Sequence, residues 1–542
     1  MIRTTASQAT RSCRRRQNLK AYFSSSSIQC SDNPPPRKID QEKFNYNPEI
    51  AFSADVSKEH LSYPLVTSHD LAKSCKTPPT RVRMLVRDYI EDALYNPHYG
   101  YFSKQATIFT APGEENEGFN FNSFKDSAKF ESAVAGRYME YGDMMSGTDG
   151  PGRQIWHTPT ELFKPWYGQA IARCLVSEYL LKYFPYEDFK IYEFGAGNGT
   201  LALNILDFLR ANYPEVYDRT QYTIIEISAP LARTQRTRLR RAGHSQRTAP
   251  VEHCSVFAWT KTEHAPSFVL AAEVVDNFAH DVIRYDVRTL EPYQGFVAID
   301  DAGEFIPYYT RINDALVASF LALRRRLKHQ PALPWYLRNS ALRRTYAYLP
   351  FAPNLSPPEY IPTRLLSLLR VLRARFPRHR LLLTDFSSLP DAVPGSNAPV
   401  VQTNVRGTMV PCQTIFVRQG YFDILFPTAF QQLRDMYEHV LEQPAVAIEG
   451  EGDLDELRHA RISPLASTTS LLAFGSNFFS PSSRRSPLDG VASASGLPVG
   501  ERKSSVFSHS EFLETYGDMG KTRLKNGENP LVAFYENVKF LF

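Results

Sequence analysis

The sequence predicts an α/β fold built on a largely parallel sheet, on three observations. Between Glu161 and about Val287, helical and strand signals alternate, the order that winds a parallel sheet. One strand, Phe189 to Phe194, runs into the turn Gly195-Ala196-Gly197-Asn198-Gly199 and then a helix from Thr200 to Asn212. The next strand, Tyr222 to Ile227, closes its apolar run on the carboxylate Glu226.

The elements follow in order along the chain. Residues 1–30 are rich in arginine and serine and free of acid, the composition of a mitochondrial transit peptide. Residues 31–75 carry Pro34-Pro35-Pro36 and little periodicity, and are assigned as linker. From Val82 the apolar positions Leu85, Val86, Tyr89, Ile90, Ala93 and Leu94 recur at helical spacing and stop at Asn96-Pro97. A main domain is expected over 76–462, with helices over Gln169 to Tyr183 and Ala229 to Ala242 and a strand over Ser267 to Ala272. Within it, 311–380 is predicted to be a helical insertion containing Asn313 to Leu327 and Arg364 to Phe376, followed by a strand over Arg380 to Asp385. Residues 463–507 are dominated by Ser, Pro and Gly and are expected to form a disordered insertion; 508–542 regains apolar residues and is expected to pack back on the domain.

Bulk properties exclude several classes. The formal charge of +5 comes from Arg3, Arg11, Arg14, Arg15, Arg16 and Lys20, so the remainder is close to neutral and no nucleic-acid surface is implied. No run approaches the roughly 18 apolar residues of a membrane-spanning helix. The six cysteines show no CxxC pair or metal-ligand spacing, so no metal is expected.

The glycine turn carries the chemistry. Gly195, Gly197 and Gly199 let the backbone approach a ligand where a Cβ would collide, and the following helix start offers free N–H groups. The spacing is GxGxG, with the acid Glu193 on the strand before it, and departs from the GxGxxG of dinucleotide sites. A glycine loop alone is also compatible with a tight turn that binds nothing. Glu226 adds a carboxylate able to accept both ribose hydroxyls of an adenosine cofactor. Between NAD and S-adenosylmethionine, Glu193 favours the latter, since a pyrophosphate gains nothing from a nearby carboxylate.

Several motifs together resemble the MidA-like methyltransferases. Ala93-Leu94-Tyr95-Asn96-Pro97-His98-Tyr99-Gly100-Tyr101 is similar to that family's opening element, and Thr158-Pro159-Thr160-Glu161-Leu162 with Tyr167-Gly168-Gln169 to its Ser-Pro-Glu segment. Glu193 to Leu201 matches its glycine motif, and Glu226, Ser228, Leu231 and Gln235 its second-strand pattern. Glu273 and Asp276 fall on its Asn-Glu-x-x-Asp-x-x-Pro motif, Asp385 on a later acid, and Gly407-Thr408-Met409 with Asp423-Ile424 on its late segments. Ala272 and Ala279 depart from that motif, where the family has Asn and Pro.

The resemblance implies a class I methyltransferase fold: a Rossmann-like, mostly parallel seven-stranded sheet with helical amino-terminal and insertion elements. It implies S-adenosyl-L-methionine as cofactor, held by Glu193, Gly195, Ala196, Gly197, Gly199, Glu226 and Ser228. Thr158, Pro159 and Glu161 would face substrate, and Glu273 and Asp276 would grip and orient an arginine guanidinium. It further implies a protein arginine methyltransferase of the mitochondrial matrix, symmetrically dimethylating an arginine in a complex I core subunit during assembly. Two other classes stay open: a non-catalytic assembly scaffold, favoured by Ala272 and Ala279, and a dehydrogenase, disfavoured by the glycine spacing.

Overall fold

The computed structural model describes residues 58–104, 107–108, 118–145, 155–156, 158–244, 250–349, 352–390, 393–405, 408–442 and 504–542. The expected targeting segment 1–30, most of the linker and residues 463–503 of the expected insertion lie outside the described residues.

The chain enters the body through β1 (Val82–Leu85) and α1 (Val86–Tyr95), then α2 (Pro159–Leu162) and α3 (Trp166–Lys182). An alternating unit follows: β2 (Phe189–Phe194), α4 (Thr200–Asn212), β3 (Thr220–Glu226), α5 (Ala229–Arg241), β4 (Val251–His253) and β5 (Ser267–Ala272). Next come β6 (Asp281–Tyr285), β7 (Pro292–Ile299), β8 (Phe305–Arg311), α6 (Ala315–Arg326), α7 (Trp335–Arg338), α8 (Ser340–Ala347), β9 (Glu359–Ile361), α9 (Thr363–Arg375) and β10 (His379–Phe386). The remainder supplies β11 (Val400–Val405), β12 (Thr408–Cys412), β13 (Asp423–Leu425), α10 (Phe430–Glu442), β14 (Val506–Ser508), α11 (His509–Tyr516) and β15 (Val538–Leu541).

Seven strands form the main sheet in the order β4-β3-β2-β5-β10-β15-β14. The first five run parallel, with Glu193 opposite Ile224, Phe194 opposite Ala271, and Leu383 opposite Ala271. Strand β15 runs antiparallel between β10 and β14. The expected mostly parallel seven-stranded sheet is therefore present. Its central strands are apolar on both faces because helices cover both: α3, α4 and α11 carry one apolar cluster, α6, α9 and α10 the other. Each fully buried Leu of α9, such as Leu368, Leu369 and Leu372, contributes about 1.5–3 kcal/mol of transfer free energy, so packing holds this helix. The sequence order reverses direction between β2 and β5, the position where open α/β sheets leave a crevice beyond the strands' carboxyl ends.

Several expectations are corrected. Val82 to Leu85 is a strand, not the first turn of a helix, because it pairs with β7 in the register Val82 opposite Ile299; helix α1 starts at Val86. A second, antiparallel sheet of β1, β7, β6 and β9, with β8 on β7, occupies 281–311 and takes β9 from the insertion expected to be helical. Both β6 and most of β7 are buried on either side, so no alternation marks them in the sequence. The assigned linker includes a helix, Ser68–Ser74, closed by a capping box between Thr67 and Asp70. Residues 506–507, assigned to the Ser-rich insertion, are part of β14. The segment after 507 does more than pack on the domain: it contributes β15 to the sheet.

Candidate active site

The glycine turn leaves the carboxyl end of β2 with φ of 63°, 53° and 77° at Gly195, Gly197 and Gly199, the left-handed region that other residues reach at a cost. Gly195 N donates to Ile225 O at 3.1 Å, and Gly199 N closes the turn on Ala196 O at 2.8 Å. A Cβ on Gly195 would come to 3.1 Å of Val274, and one on Gly199 to 3.3 Å of Gln235, so the turn is packed against the neighbouring elements. Ala196 is buried within it.

Glu226, at the end of β3, is buried beside this turn. Its Oε1 accepts from Ser228 N at 2.8 Å and its Oε2 from the Gln235 side-chain amide at 2.9 Å. The same amide nitrogen donates to Gly197 O at 2.7 Å. Gln235 on α5 thus ties the turn to the acid, a role its place in the second-strand pattern could have signalled. Burial raises the Glu226 pKa, against which the Ser228 amide and Gln235 act. Glu193 lies deeper: it accepts the Tyr222 hydroxyl at 2.7 Å, and burial, with the nearby Glu226 charge, pushes it up to about 8. It is mostly protonated at neutral pH.

Glu161, expected with Thr158 and Pro159 to face substrate, is hydrogen-bonded to the end of the glycine turn and the start of α4. Its Oε1 accepts from Thr200 Oγ1 at 2.5 Å and from Asn198 Nδ2 at 3.1 Å. Arg238 of α5 donates to Thr200 Oγ1 at 2.5 Å and to Asn198 O at 3.3 Å. Thr158 caps α2 by accepting from Glu161 N at 3.2 Å, and Pro159 is buried behind it. These residues brace the start of α4. The buried Glu161 Oε2 has no hydrogen-bond partner.

A second group of acids gathers at the ends of β5 and β10. Glu273 directly follows β5 in a left-handed conformation (φ 54°), its N–H donating to Thr384 O at 2.9 Å; such strain in a non-glycine residue persists only where its surroundings enforce it. Asp385 accepts from the amides of Val275 at 2.9 Å and Asp276 at 3.1 Å through Oδ2, and from Phe386 N at 2.7 Å through Oδ1. Asp276 is not a helix cap; Asp385 holds its backbone, and its own buried Oδ1 has no hydrogen-bond partner. Asp423 on β13 completes the group, reached through Asn277, whose Nδ2 donates to Asp423 Oδ1 at 3.0 Å. Tyr95, the last residue of α1, lies over this loop with its hydroxyl donating to Asn277 O at 3.1 Å.

Among the described residues, none of these four acids forms an ion pair. Burial raises the pKa of each: Asp385 and Asp423 reach about 7, and Glu273 and Asp276 rise well above the carboxylate range, helped by Asp385 and, for Asp276, by Asp423 and Glu273. Removing water and crowding like charges favours the neutral forms; a cation brought among them would reverse that preference.

A glycine turn that follows a parallel strand at a topological switch point, together with an acid ending the neighbouring strand, is the arrangement of an adenosine-cofactor site, and the GxGxG spacing separates it from dinucleotide sites. Residues 170–446, more than half of the chain, match the family described as putative S-adenosyl-L-methionine-dependent methyltransferases, and the chain belongs to that family. The cofactor is S-adenosyl-L-methionine, and the residues present fit it: three left-handed glycines shape the turn, and the buried Glu226 is tied to Gly197 through Gln235. The chain is 28% identical over 335 residues, covering 59% of this chain and 67% of the relative, to the protein arginine methyltransferase NDUFAF7 homolog, mitochondrial, of Schizosaccharomyces pombe. It is also similar to the solved structure of a COG1565 superfamily member from Burkholderia thailandensis bound to S-adenosyl-homocysteine, with 18% identity, 69% of this chain and 76% of that chain covered, and a TM-score of 0.42.

Proposed function

We propose that this chain is a protein arginine N-methyltransferase of the mitochondrial matrix that symmetrically dimethylates an arginine of a complex I core subunit during assembly. The observation that carries this reading is a group of four acids at the ends of β5 and β10, the buried Asp276, Asp385 and Asp423 with the half-buried Glu273, which pair with no cation among the described residues. The name of the fission-yeast relative supports both the arginine and the mitochondrion, and the arginine-rich residues 1–30 support import. In this reading the catalytic domain spans about 76–462 together with 508–542.

S-adenosylmethionine supplies an electrophilic methyl group on a sulfonium. Glu226 accepts hydrogen bonds from ribose hydroxyls, while Gly195, Ala196, Gly197 and Gly199 let the backbone come close, with Ser228 and Gln235 holding Glu226 in place. A guanidinium is protonated at physiological pH and its lone pairs are delocalised, so it must be gripped and its charge localised before one nitrogen can attack. Glu273 and Asp276 accept its N–H groups in that role, and Asp385, through two backbone amides, fixes the loop that carries them. Glu273, the half-buried member, takes the proton that the nitrogen releases once it has been methylated.

Purified protein incubated with labelled S-adenosylmethionine and complex I core subunits is expected to give symmetric dimethylarginine by mass spectrometry. Binding of S-adenosylhomocysteine without methylation of any such subunit would favour the scaffold, for which the substitutions at Ala272 and Ala279 speak.

A further inference from the structure

Residues 315–358 contain seven lysines and arginines and no aspartate or glutamate. One of these cations is used internally: Arg324 turns inward and pairs with Glu359 at 2.9 Å. Arg325, Arg326 and Lys328, at the end of α6, are exposed. The chain is then pinned by Leu333 and Leu337, which are buried in the cluster around α9, before it forms α7 and α8. No residue of α8 is buried, and it is joined to α7 through the rings of Tyr336 and Tyr346, 4.9 Å apart.

Four large apolar side chains within this short stretch face solvent: Trp335 (73% exposed), Leu342, Tyr348 (85%) and Leu349. Arg338 and Arg344 are exposed beside them in sequence. Arg338 and Arg343 donate to the carbonyls of Leu333 and Leu337, which orients them, and neither pairs with a carboxylate among the described residues. Stranding so much aromatic surface in water is unfavourable, and isolated exposed residues do not cluster in this way by default.

We propose that α7 and α8 form a docking surface for an anionic phospholipid bilayer. Trp335, Leu342, Tyr348 and Leu349 enter the headgroup boundary, and the arginines meet lipid phosphates. The acid-free, cationic composition is complementary to an anionic partner. A bilayer is favoured over an acidic peptide because Trp335 and Tyr348 leave 73% and 85% of their surface to solvent, and amphipathic aromatic tips flanked by arginine are the chemistry of interfacial anchoring. The surface is independent of the methylation reading.

The test uses the full chain with vesicles of phosphatidylcholine alone or mixed with cardiolipin. The expected result is co-sedimentation with the anionic vesicles only, weakened by salt, with brominated lipid quenching fluorescence that is lost in Trp335→Phe. Combined Trp335→Ser, Tyr348→Ser and Leu349→Ser should lower the bound fraction about tenfold while S-adenosylhomocysteine affinity and melting temperature stay unchanged. The proposal is overturned if wild-type protein ignores anionic vesicles. It is equally overturned if the triple variant binds them as well as wild type, which would assign binding to the arginine-rich amino terminus. Capture of polyglutamate, but not vesicles, by wild type and not by the triple variant would replace the bilayer with an acidic protein.

Discussion

A single amide nitrogen of Gln235 donates to the carboxylate of Glu226 at 2.9 Å and to the carbonyl of Gly197 at 2.7 Å, locking the acid and the glycine turn into one unit. Gln235→Ala should therefore weaken S-adenosylhomocysteine binding about tenfold, since a hydrogen bond to a charged group is worth about 1.5–3 kcal/mol. Calorimetric titration checks this, and an unchanged affinity would mean that Glu226 holds its position unaided.

Gly197→Val places a β-branched residue at φ 53°, a conformation costing about 1–2 kcal/mol for residues other than glycine, on the wall of the crevice. Loss of measurable S-adenosylhomocysteine binding is expected, with circular dichroism like that of wild type.

Glu161→Gln distinguishes the two sides of the site. Because Glu161 braces Asn198 and Thr200, the variant should raise the KM for S-adenosylmethionine severalfold and leave the KM for the protein substrate alone. A selective rise in the latter would return Glu161 to the substrate side.

Glu273→Gln keeps the size of the side chain but removes its charge. Cofactor affinity should be retained while turnover falls roughly 10²-fold or more, the range for loss of an acid–base group. Single-turnover kinetics would show it, and equal rates would move the role to another acid.

The acids also predict two opposite pH dependences. Asp385 and Asp423 bind protons more tightly in the folded protein, at about 7, than at their ordinary 3.8. Their contribution to stability is thus full below 3.8 and is lost as pH rises through 7. The melting temperature of the cofactor-free protein should fall from about pH 4 to 7 and level off above that, and fall less in Asp423→Asn. Methyl transfer should rise as pH passes through about 7, because gripping a cation needs the ionised forms.

Legibility followed the physics of each element. The strand, turn and helix around Gly195 to Gly199 could be read almost to the residue, because period, glycine chemistry and capping agree there; α4 runs from Thr200 to Asn212 as the pattern implies. Val82 to Leu85 could not, since its buried positions suit helix and strand alike and only pairing with β7 decides. Glu226 and Glu273 announce themselves by ending apolar strands. The position of Glu161 beneath Thr200, and the convergence of Asp385 with Asp423, arise from contacts between distant segments that no local spacing encodes.

Strand β15 is an inner strand, flanked by β10 and β14, yet more than 150 residues separate it from β10 in sequence. A recombinant fragment ending before residue 504 would therefore keep every glycine and acid of the crevice and still fail. It would present the naked hydrogen-bonding edge of His379–Phe386 to other chains, and its expected fate is inclusion bodies, with no soluble minimal enzyme.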